Sequence, residues 1–261
     1  MQKLVIGSLT ALAFGINVAS ADALKVGTVA GPETDIMQVA VEIAEEKHGL
    51  DVEIIEFTDY VTPNAALADG SLDANAFQHE PYMQAMVNDR GYDFAVAGYT
   101  FVYPIGAYSE KYDSIEALPD GARIALPNDP SNEGRSLILM HNKGLIELND
   151  PTHLEATPID IAKNPHDFDF LEIEAAQLPR VLRDVDMAFI NNTFAQPAGL
   201  SLDDALIKEG PESPYVNLIV VRDGDEDREA IRHLVDAYHS EAVMEKADKL
   251  FDGAAVPGWI K

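Results

Sequence analysis

Asp73-Ala74-Asn75-Ala76-Phe77-Gln78-His79-Glu80-Pro81-Tyr82 changes character in its middle. The first half belongs to an apolar run from Leu72 to Phe77, with small residues where a neighbouring backbone can come close, and it reads as a buried strand. The second half is polar and aromatic. Pro81 has no N–H to give to a strand ladder, but it suits the first turn of a helix, which Tyr82 to Asp89 can form. The spacing therefore predicts that Phe77, Gln78, His79 and Tyr82 sit where a strand ends and a helix begins. In open α/β sheets ligands bind at that edge, beyond the carboxyl ends of the strands. A packed strand with a histidine and a tyrosine on its shoulder gives the same pattern, so the rest of the chain has to decide.

Toward the N-terminus, Leu24 to Val29 is a short apolar run ending in Ala30-Gly31-Pro32-Glu33, a strand leading into a loop and a helix. Thr34 or Asp35 can cap that helix. Ile36, Val39, Ala40, Ile43 and Ala44 recur at helical spacing, and Gly49 ends it. Val52 to Phe57 is the next strand. Strand, helix and strand in so short a unit imply a parallel pair with a right-handed crossover. Tyr60 lies just past the second strand, on the same edge as Phe77 and His79. A short helix from Pro63 to Ala68 closes at Gly70.

Toward the C-terminus, Phe94 to Tyr108 is a long apolar run broken by Gly98, Pro104 and Gly106. A strand interrupted in this way leaves one sheet for another, and here it marks a crossing into a second domain. Ala122 to Pro127 is that domain's first strand. Asn128-Asp129-Pro130-Ser131-Asn132-Glu133-Gly134-Arg135-Ser136-Leu137 follows. Asp129 can cap a helix with Pro130 at its first position, and Leu137, Ile138, Met140 and Leu145 give the apolar face. A helix N-terminus favours anions, and Arg135 beside it adds a fork matched to a carboxylate. In so acidic a chain Arg135 could equally pair with Glu133 or another acid. Phe170 to Ile173 and Asp186 to Ile190 read as strands, with a helix starting at Leu178. Asn191-Asn192 at the second strand's end can serve a ligand or a turn. Tyr215 to Val221 is a strongly apolar strand containing Asn217, which must find partners if buried; this strand returns the chain to the first domain. Helices from Asp225 to Tyr238 and from Ser240 to Leu250 follow.

Composition narrows the function. Of 261 residues, 47% are hydrophobic, enough for one large domain or two of modest size. The 45 acidic residues outnumber the 18 basic ones, for a formal net charge of -27. Nucleic acid and anionic membrane faces both call for basic patches, so neither is expected as a partner. With no cysteine, disulfides, thiolate metal sites, cysteine nucleophiles and a lipid-bearing cysteine are excluded. The N-terminus reads as a secretory signal: Lys3, an apolar Leu4 to Phe14, and Ala19-Ser20-Ala21 as a small-x-small cleavage site. An exported, freely diffusing protein beginning at Asp22 is expected.

Catalysis finds little support. His79 and Glu80 could form an acid–base pair with Ser131 or Ser136 as nucleophile, but nothing resembles G-x-S-x-G. The His79-Glu80-Pro81-Tyr82 run lacks the second histidine of H-E-x-x-H, and the other histidines (His48, His141, His153, His166, His233, His239) have no metal-ligand spacing. No metal or cofactor is expected.

Several long stretches, in order, resemble the methionine-binding proteins of bacterial ABC importers, the group named for methionine-binding and NlpA-type lipoproteins. They are Asn75 to Tyr82, Phe101-Val102-Tyr103-Pro104, Pro127 to Leu137, Leu178-Pro179-Arg180, Ile190-Asn191-Asn192-Thr193, Ser213 to Val220, and Ala255 to Trp259. The resemblance implies an α/β, two-lobed, type II-like periplasmic-binding-protein fold. Its ligand cleft lies between two Rossmann-like lobes joined by two crossing strands. The expected division is a signal at 1–21, one lobe from 22–103 with 219–261, and a second from 104–218. The resemblance also implies free methionine as ligand, L-methionine in the first instance, with D-methionine, another small amino acid or a short peptide as alternatives. It implies a monomer that meets the permease subunits of an ABC importer. By the family pattern, the thioether lies among Tyr60, Phe77, His79 and Tyr82, the carboxylate meets Arg135, and Asn191 and Asn217 hold the head group with help from Asn132. The chemistry suits these roles: thioether sulfur is attracted to aromatic rings by about 0.3–1.5 kcal/mol per contact, and a buried zwitterion needs a cation and several acceptors. Many family members carry a lipid-modified cysteine after the signal; this chain has Asp22 there.

Overall fold

The structure, a computed structural model, describes residues 23–210 and 213–260. The signal-like segment and its expected cleavage site lie outside the described residues. Within them the chain builds two sheets with helices on their faces, and a small hairpin beside the second sheet.

The first sheet begins as the sequence predicts. β1 (Leu24–Val29), α1 (Pro32–His48) and β2 (Val52–Phe57) form a unit in which the strands pair in parallel from Leu24 opposite Val52 to Val29 opposite Phe57. α1 starts at Pro32, with Gly31 at its cap, and not at Thr34 or Asp35. The Thr34 hydroxyl is otherwise engaged: it lies 2.7 Å from the Thr28 hydroxyl and donates to the Val29 carbonyl at 3.1 Å. The helix ends on Gly49 at φ 63°, a left-handed position that glycine adopts without strain. α2 (Thr62–Ala68), β3 (Ala74–Asn75), α3 (Glu80–Arg90) and β4 (Phe94–Val102) follow.

β3 is shorter than the expected Leu72–Phe77 strand because the segment changes partners. Ala74 and Asn75 pair with β1, and the Ala76 amide donates to the Gly27 carbonyl at 2.8 Å. Beyond that, the Gln78 carbonyl accepts from the Leu218 amide at 2.9 Å, and His79 bridges to Asn217. Three buried amides hold this switch. Asn64 and Gln78 exchange hydrogen bonds at 2.8 and 2.7 Å, and Asn75 donates to the Asn64 oxygen at 2.9 Å.

After β4 the chain passes through Tyr103-Pro104-Ile105 into β5 (Gly106–Tyr108), which belongs to the second sheet. Pro104 offers no N–H, so pairing stops there and the chain can change sheets. β6 (Arg123–Pro127) and α4 (Pro130–Asn142) come next, then a hairpin of β7 (Glu147–Leu148) and β8 (Ile161–Lys163). β9 (Asp169–Ile173), α5 (Leu178–Val181), β10 (Met187–Ile190), α6 (Asn192–Ala195) and β11 (Ile207–Lys208) complete this part, with sheet order β11-β5-β10-β6-β9. The chain then returns. β12 (Val216–Arg222) pairs antiparallel with β4 from Val216 opposite Val102 to Arg222 opposite Phe94, and with β3 at Val220 and Val221. α7 (Glu229–Tyr238) starts four residues later than expected, after turns in which Arg228 reaches Asp73 at 2.9 Å. α8 (Glu241–Phe251) and β13 (Val256–Pro257), which pairs with β4, close the first lobe in the order β13-β4-β12-β3-β1-β2.

Each sheet is covered on both faces. Ile36, Met37 and Ala40 of α1, Ile231 and Leu234 of α7, and Val243 and Phe251 of α8 pack on one face of the first sheet. Leu67, Leu72 and Met83 pack on the other with Leu218 and Val220. Leu137 and Met140 of α4 cover one face of the second sheet, and Leu178 and Leu182 cover the other.

Gly134 fixes how α4 sits. A Cβ there would lie 2.2 Å from the Leu154 carbonyl oxygen and 2.8 Å from the Ala156 amide, both backbone atoms that cannot swing aside. Alanine is favoured over glycine in a helix by about 1 kcal/mol, but overpacking against fixed backbone costs about 1–3 kcal/mol or more. We therefore expect Gly134→Ala to lower stability by about 2 kcal/mol despite the better helix former, read as a lower midpoint in guanidinium unfolding. An unchanged or higher midpoint would show that the 154–156 segment yields freely.

Candidate functional site

β1, β2 and β3 run parallel, so their carboxyl ends share one edge of the first sheet; β6 and β10 do the same in the second. The loops and helix starts beyond these five ends face each other across a cleft. Tyr60, Phe77, His79, Tyr82, Asn132, Arg135, Asn191 and Asn217, the eight residues predicted for the site, all line one cavity there.

One side of the cavity is aromatic. The Tyr60, Phe77 and Tyr82 rings form a triangle with centroids 5.7, 6.0 and 6.0 Å apart. The Tyr82 hydroxyl donates to the Tyr60 carbonyl at 2.9 Å, which ties the loop after β2 to α3. Burial pushes both phenols well above their ordinary range, so they stay neutral.

The other side is polar and is ordered by His79. This residue caps α3: its Nδ1 accepts from the Tyr82 backbone N–H at 3.1 Å. The ring proton therefore sits on Nε2, which donates to Asn132 Oδ1 at 3.1 Å across the cleft. Burial, with the Arg135 charge nearby, lowers His79 to about 3, so the ring is neutral at ordinary pH. Asn132 Oδ1 also accepts from Asn191 Nδ2 at 2.9 Å, while Asn132 Nδ2 donates to the Asp129 carboxylate at 3.0 Å. Asp129 caps α4 as expected, accepting from the Asn132 backbone N–H at 2.9 Å. Asn191 is left with a buried Oδ1 that has no hydrogen-bond partner among the described residues. Asn217 donates to the Phe77 carbonyl at 3.2 Å and turns toward the same cavity.

Arg135 is 3% exposed and lies over the Tyr215 ring, 4.4 Å from its centroid. The acid that pairs with it is not its helix neighbour Glu133 but Glu209. Arg135 Nε donates to Glu209 Oε1 at 3.1 Å, and Nη2 donates to Glu209 Oε2 and, at 3.0 Å, to the Tyr103 carbonyl. Both the ion-pair and the cavity readings of Arg135 therefore hold at once. One edge of the guanidinium is taken, and the residue still lines the cavity.

The hydrolase arrangement is not formed. Ser131 donates to Asp129 at 3.0 Å and Ser136 to the Asn132 carbonyl at 2.8 Å, while both His79 nitrogens are engaged elsewhere. Among the described residues no group of three histidine or carboxylate side chains could hold a metal ion.

Five further residues line the cavity: Gln78 and Asn192, which the sequence reading places at strand ends open to a ligand, and Glu33, Tyr103 and Thr193, which it did not single out. Glu33 is the most informative. It is 5% exposed, its Oε1 accepts from the Thr193 hydroxyl at 2.6 Å, and its Oε2 has no hydrogen-bond partner among the described residues. Its position just past the end of β1, on the same edge as Tyr60 and His79, was the available signal.

Residues 24–259 match the family model described as NlpA lipoprotein. The D-methionine-binding lipoprotein MetQ of Escherichia coli K12 is 46% identical over 258 residues, 98% of this chain and 95% of that protein. The structure of an ABC transporter periplasmic substrate-binding protein from Coxiella burnetii superposes with TM-score 0.87 at 52% identity, covering 90% of this chain and all of the other. A nutrient-binding protein from Burkholderia cenocepacia, bound to methionine, superposes with TM-score 0.88 at 49% identity, covering 91% of this chain and all of that one. With its two lobes and its cleft at the strand ends, the chain belongs to the NlpA lipoprotein family.

Proposed function

We propose that this protein is the solute-binding component of a bacterial ABC importer, capturing methionine between its lobes and delivering it to the permease. The observation that carries this reading is the make-up of this cavity: an aromatic triangle shares it with a buried arginine and asparagine side chains. A thioether is apolar and polarisable and gains from ring contacts. A zwitterionic head needs the opposite wall. The protein binds its ligand without turning it over.

The roles follow from the chemistry. Tyr60, Phe77 and Tyr82 enclose the thioether chain, with His79 at the boundary between apolar and polar walls. The carboxylate meets Arg135 on the side of the guanidinium that Glu209 leaves open. The Asn191 and Asn217 oxygens accept from the ammonium, and Asn132 holds Asn191 and His79 in place. The lobes divide at the two crossings, near Tyr103-Pro104-Ile105 and at the entry to β12, and they close over the ligand there. Among the described residues no helix is long and apolar enough to cross a membrane. We read the protein as exported to the periplasm by its N-terminal signal and acting as a monomer.

Denaturing the purified protein and identifying the released small molecule by mass spectrometry tests the reading, followed by calorimetry of the refolded protein with L- and D-methionine. One-to-one binding of either enantiomer is the expected result; another released molecule with no methionine heat would move the question to what the aromatic wall holds. Arg135→Ala removes one partner of a buried charged contact, which costs about 2–5 kcal/mol, so methionine affinity should fall by about 100-fold; wild-type affinity would take Arg135 out of the ligand's reach.

His79 gives a pH dependence with a definite sign. Its ordinary value is 6.5, and burial in the closed cleft lowers it to about 3. The closed form thus holds fewer protons on this ring than a form in which water reaches it. Closure is fully supported above 6.5 and weakens as the pH falls from there toward 3. Methionine affinity should therefore drop between pH 6.5 and 5, and the drop should vanish in His79→Gln, whose affinity is lower but flat over that range. A wild-type affinity that is flat there would mean the ring stays shielded with the lobes apart.

A further inference from the structure

Glu33 carries a charge that the cavity does not otherwise answer. It sits in the first turn of α1, beyond the end of β1, and reaches into the space shared with Asn191 and Asn217. Its one hydrogen bond spans the cleft: the Thr193 hydroxyl, on the opposite lobe, donates to Oε1 at 2.6 Å. Oε2 is buried and unpartnered among the described residues. The groups that sense its charge are the phenols of Tyr60, Tyr103 and Tyr238, all neutral, and no cation is among them. Arg135, the cation of the same cavity, is already paired with Glu209.

A first-turn acid is common because the helix dipole favours it, but that role needs no burial. Asp35 fills it from the exposed side of the same turn. Burial in the cleft strips water from Glu33 and pushes its carboxyl from the ordinary 4.5 up to about 8. In the closed cleft Glu33 thus needs a proton, or a cation in that proton's place.

A primary ammonium has three N–H donors. The unpaired Asn191 Oδ1 and the cavity-facing Asn217 oxygen are two acceptors, and Glu33 Oε2 is a third. Taking the functional reading above as its basis, we propose that Glu33 accepts from the ligand's α-ammonium and makes the site selective for ligands that carry one. The same carboxylate opposes closure on a ligand without an amino group, since it would be buried with no cation beside it.

The test compares two ligands in two proteins by calorimetry at pH 7.5: methionine, and 4-(methylsulfanyl)butanoate, which is methionine without its amino group. Glu33→Gln keeps the shape and an oxygen for Thr193 but removes the charge. Truncating one side of a buried charged hydrogen bond costs enough for about a 30-fold loss or more. We expect methionine to bind Glu33→Gln about 30-fold more weakly than the unsubstituted protein, while the deaminated analogue binds it as well or better. Taking the ratio of the two ligands in each protein cancels any loss of folded fraction. Methionine affinity within 3-fold of the original, or an equal loss for both ligands, overturns the proposal and makes Glu33 a prop for Thr193. No methionine binding by the unsubstituted protein overturns the functional reading and this inference with it.

Discussion

His79 has both ring nitrogens committed, and much of the polar wall follows from that. Capping α3 requires an acceptor at Nδ1, because the Tyr82 amide points at it. The proton is then on Nε2 and can go only to an acceptor, which sets Asn132 with its oxygen toward the histidine. That orientation sends the Asn132 nitrogen to Asp129 and lets the Asn132 oxygen take Asn191 as well. Asn191 in turn keeps a buried oxygen with no partner among the described residues. A helix cap on one lobe therefore sets the amide orientation of an asparagine on the other. A second proton on the ring would place N–H against N–H at the cap, so burial and capping both hold the imidazole neutral.

Arg135 shows how a buried cation is made tolerable. An unpaired charge in a closed cleft is costly, and Glu209 offsets it before any ligand arrives. The pairing occupies the Nε and Nη2 edge, and the Tyr103 carbonyl takes the remaining reach of Nη2. In the proposed function a ligand carboxylate therefore meets Nη1 and not the Nε–Nη2 fork. Tyr103 belongs to the link between β4 and β5, where the chain changes sheets, so the arginine is anchored to the crossing itself. Movement of one lobe relative to the other has a direct route to the guanidinium.

Residue pattern carried the strand ends well and the polar partners poorly. Pro81, Pro130 and Asp129 marked two helix starts correctly, because proline geometry and capping are local effects. The crossing at Pro104 was legible for the same reason. The eight predicted site residues do line one cavity, but Glu33 was passed over as a loop residue, although it lies one helical step from the same edge. Its burial is produced by Thr193 from the facing lobe, 160 residues away, and nothing local encodes that. Glu209 as the partner of Arg135 is likewise a long-range choice, 74 residues off, where proximity in sequence pointed to Glu133. The short strands β7, β8, β11 and β13 were not anticipated, since two or three residues cannot display a period.

The polar wall holds oxygens that the protein itself does not pair. Among the described residues the buried Asn191 Oδ1 and Glu33 Oε2 have no hydrogen-bond partner, and each unsatisfied buried group costs about 1–3 kcal/mol. Apart, the two lobes hydrate those same atoms, because the polar wall is split between them: Glu33, His79 and Asn217 on one side, Asn132, Arg135 and Asn191 on the other. Each lobe has its own core on both faces of its own sheet. In the proposed function, what brings the lobes together is a molecule that supplies donors to those oxygens and a carboxylate to the open side of Arg135, while its apolar end displaces water from the aromatic triangle. On that reading closure depends on occupancy, and a permease that recognises the closed surface recognises the ligand.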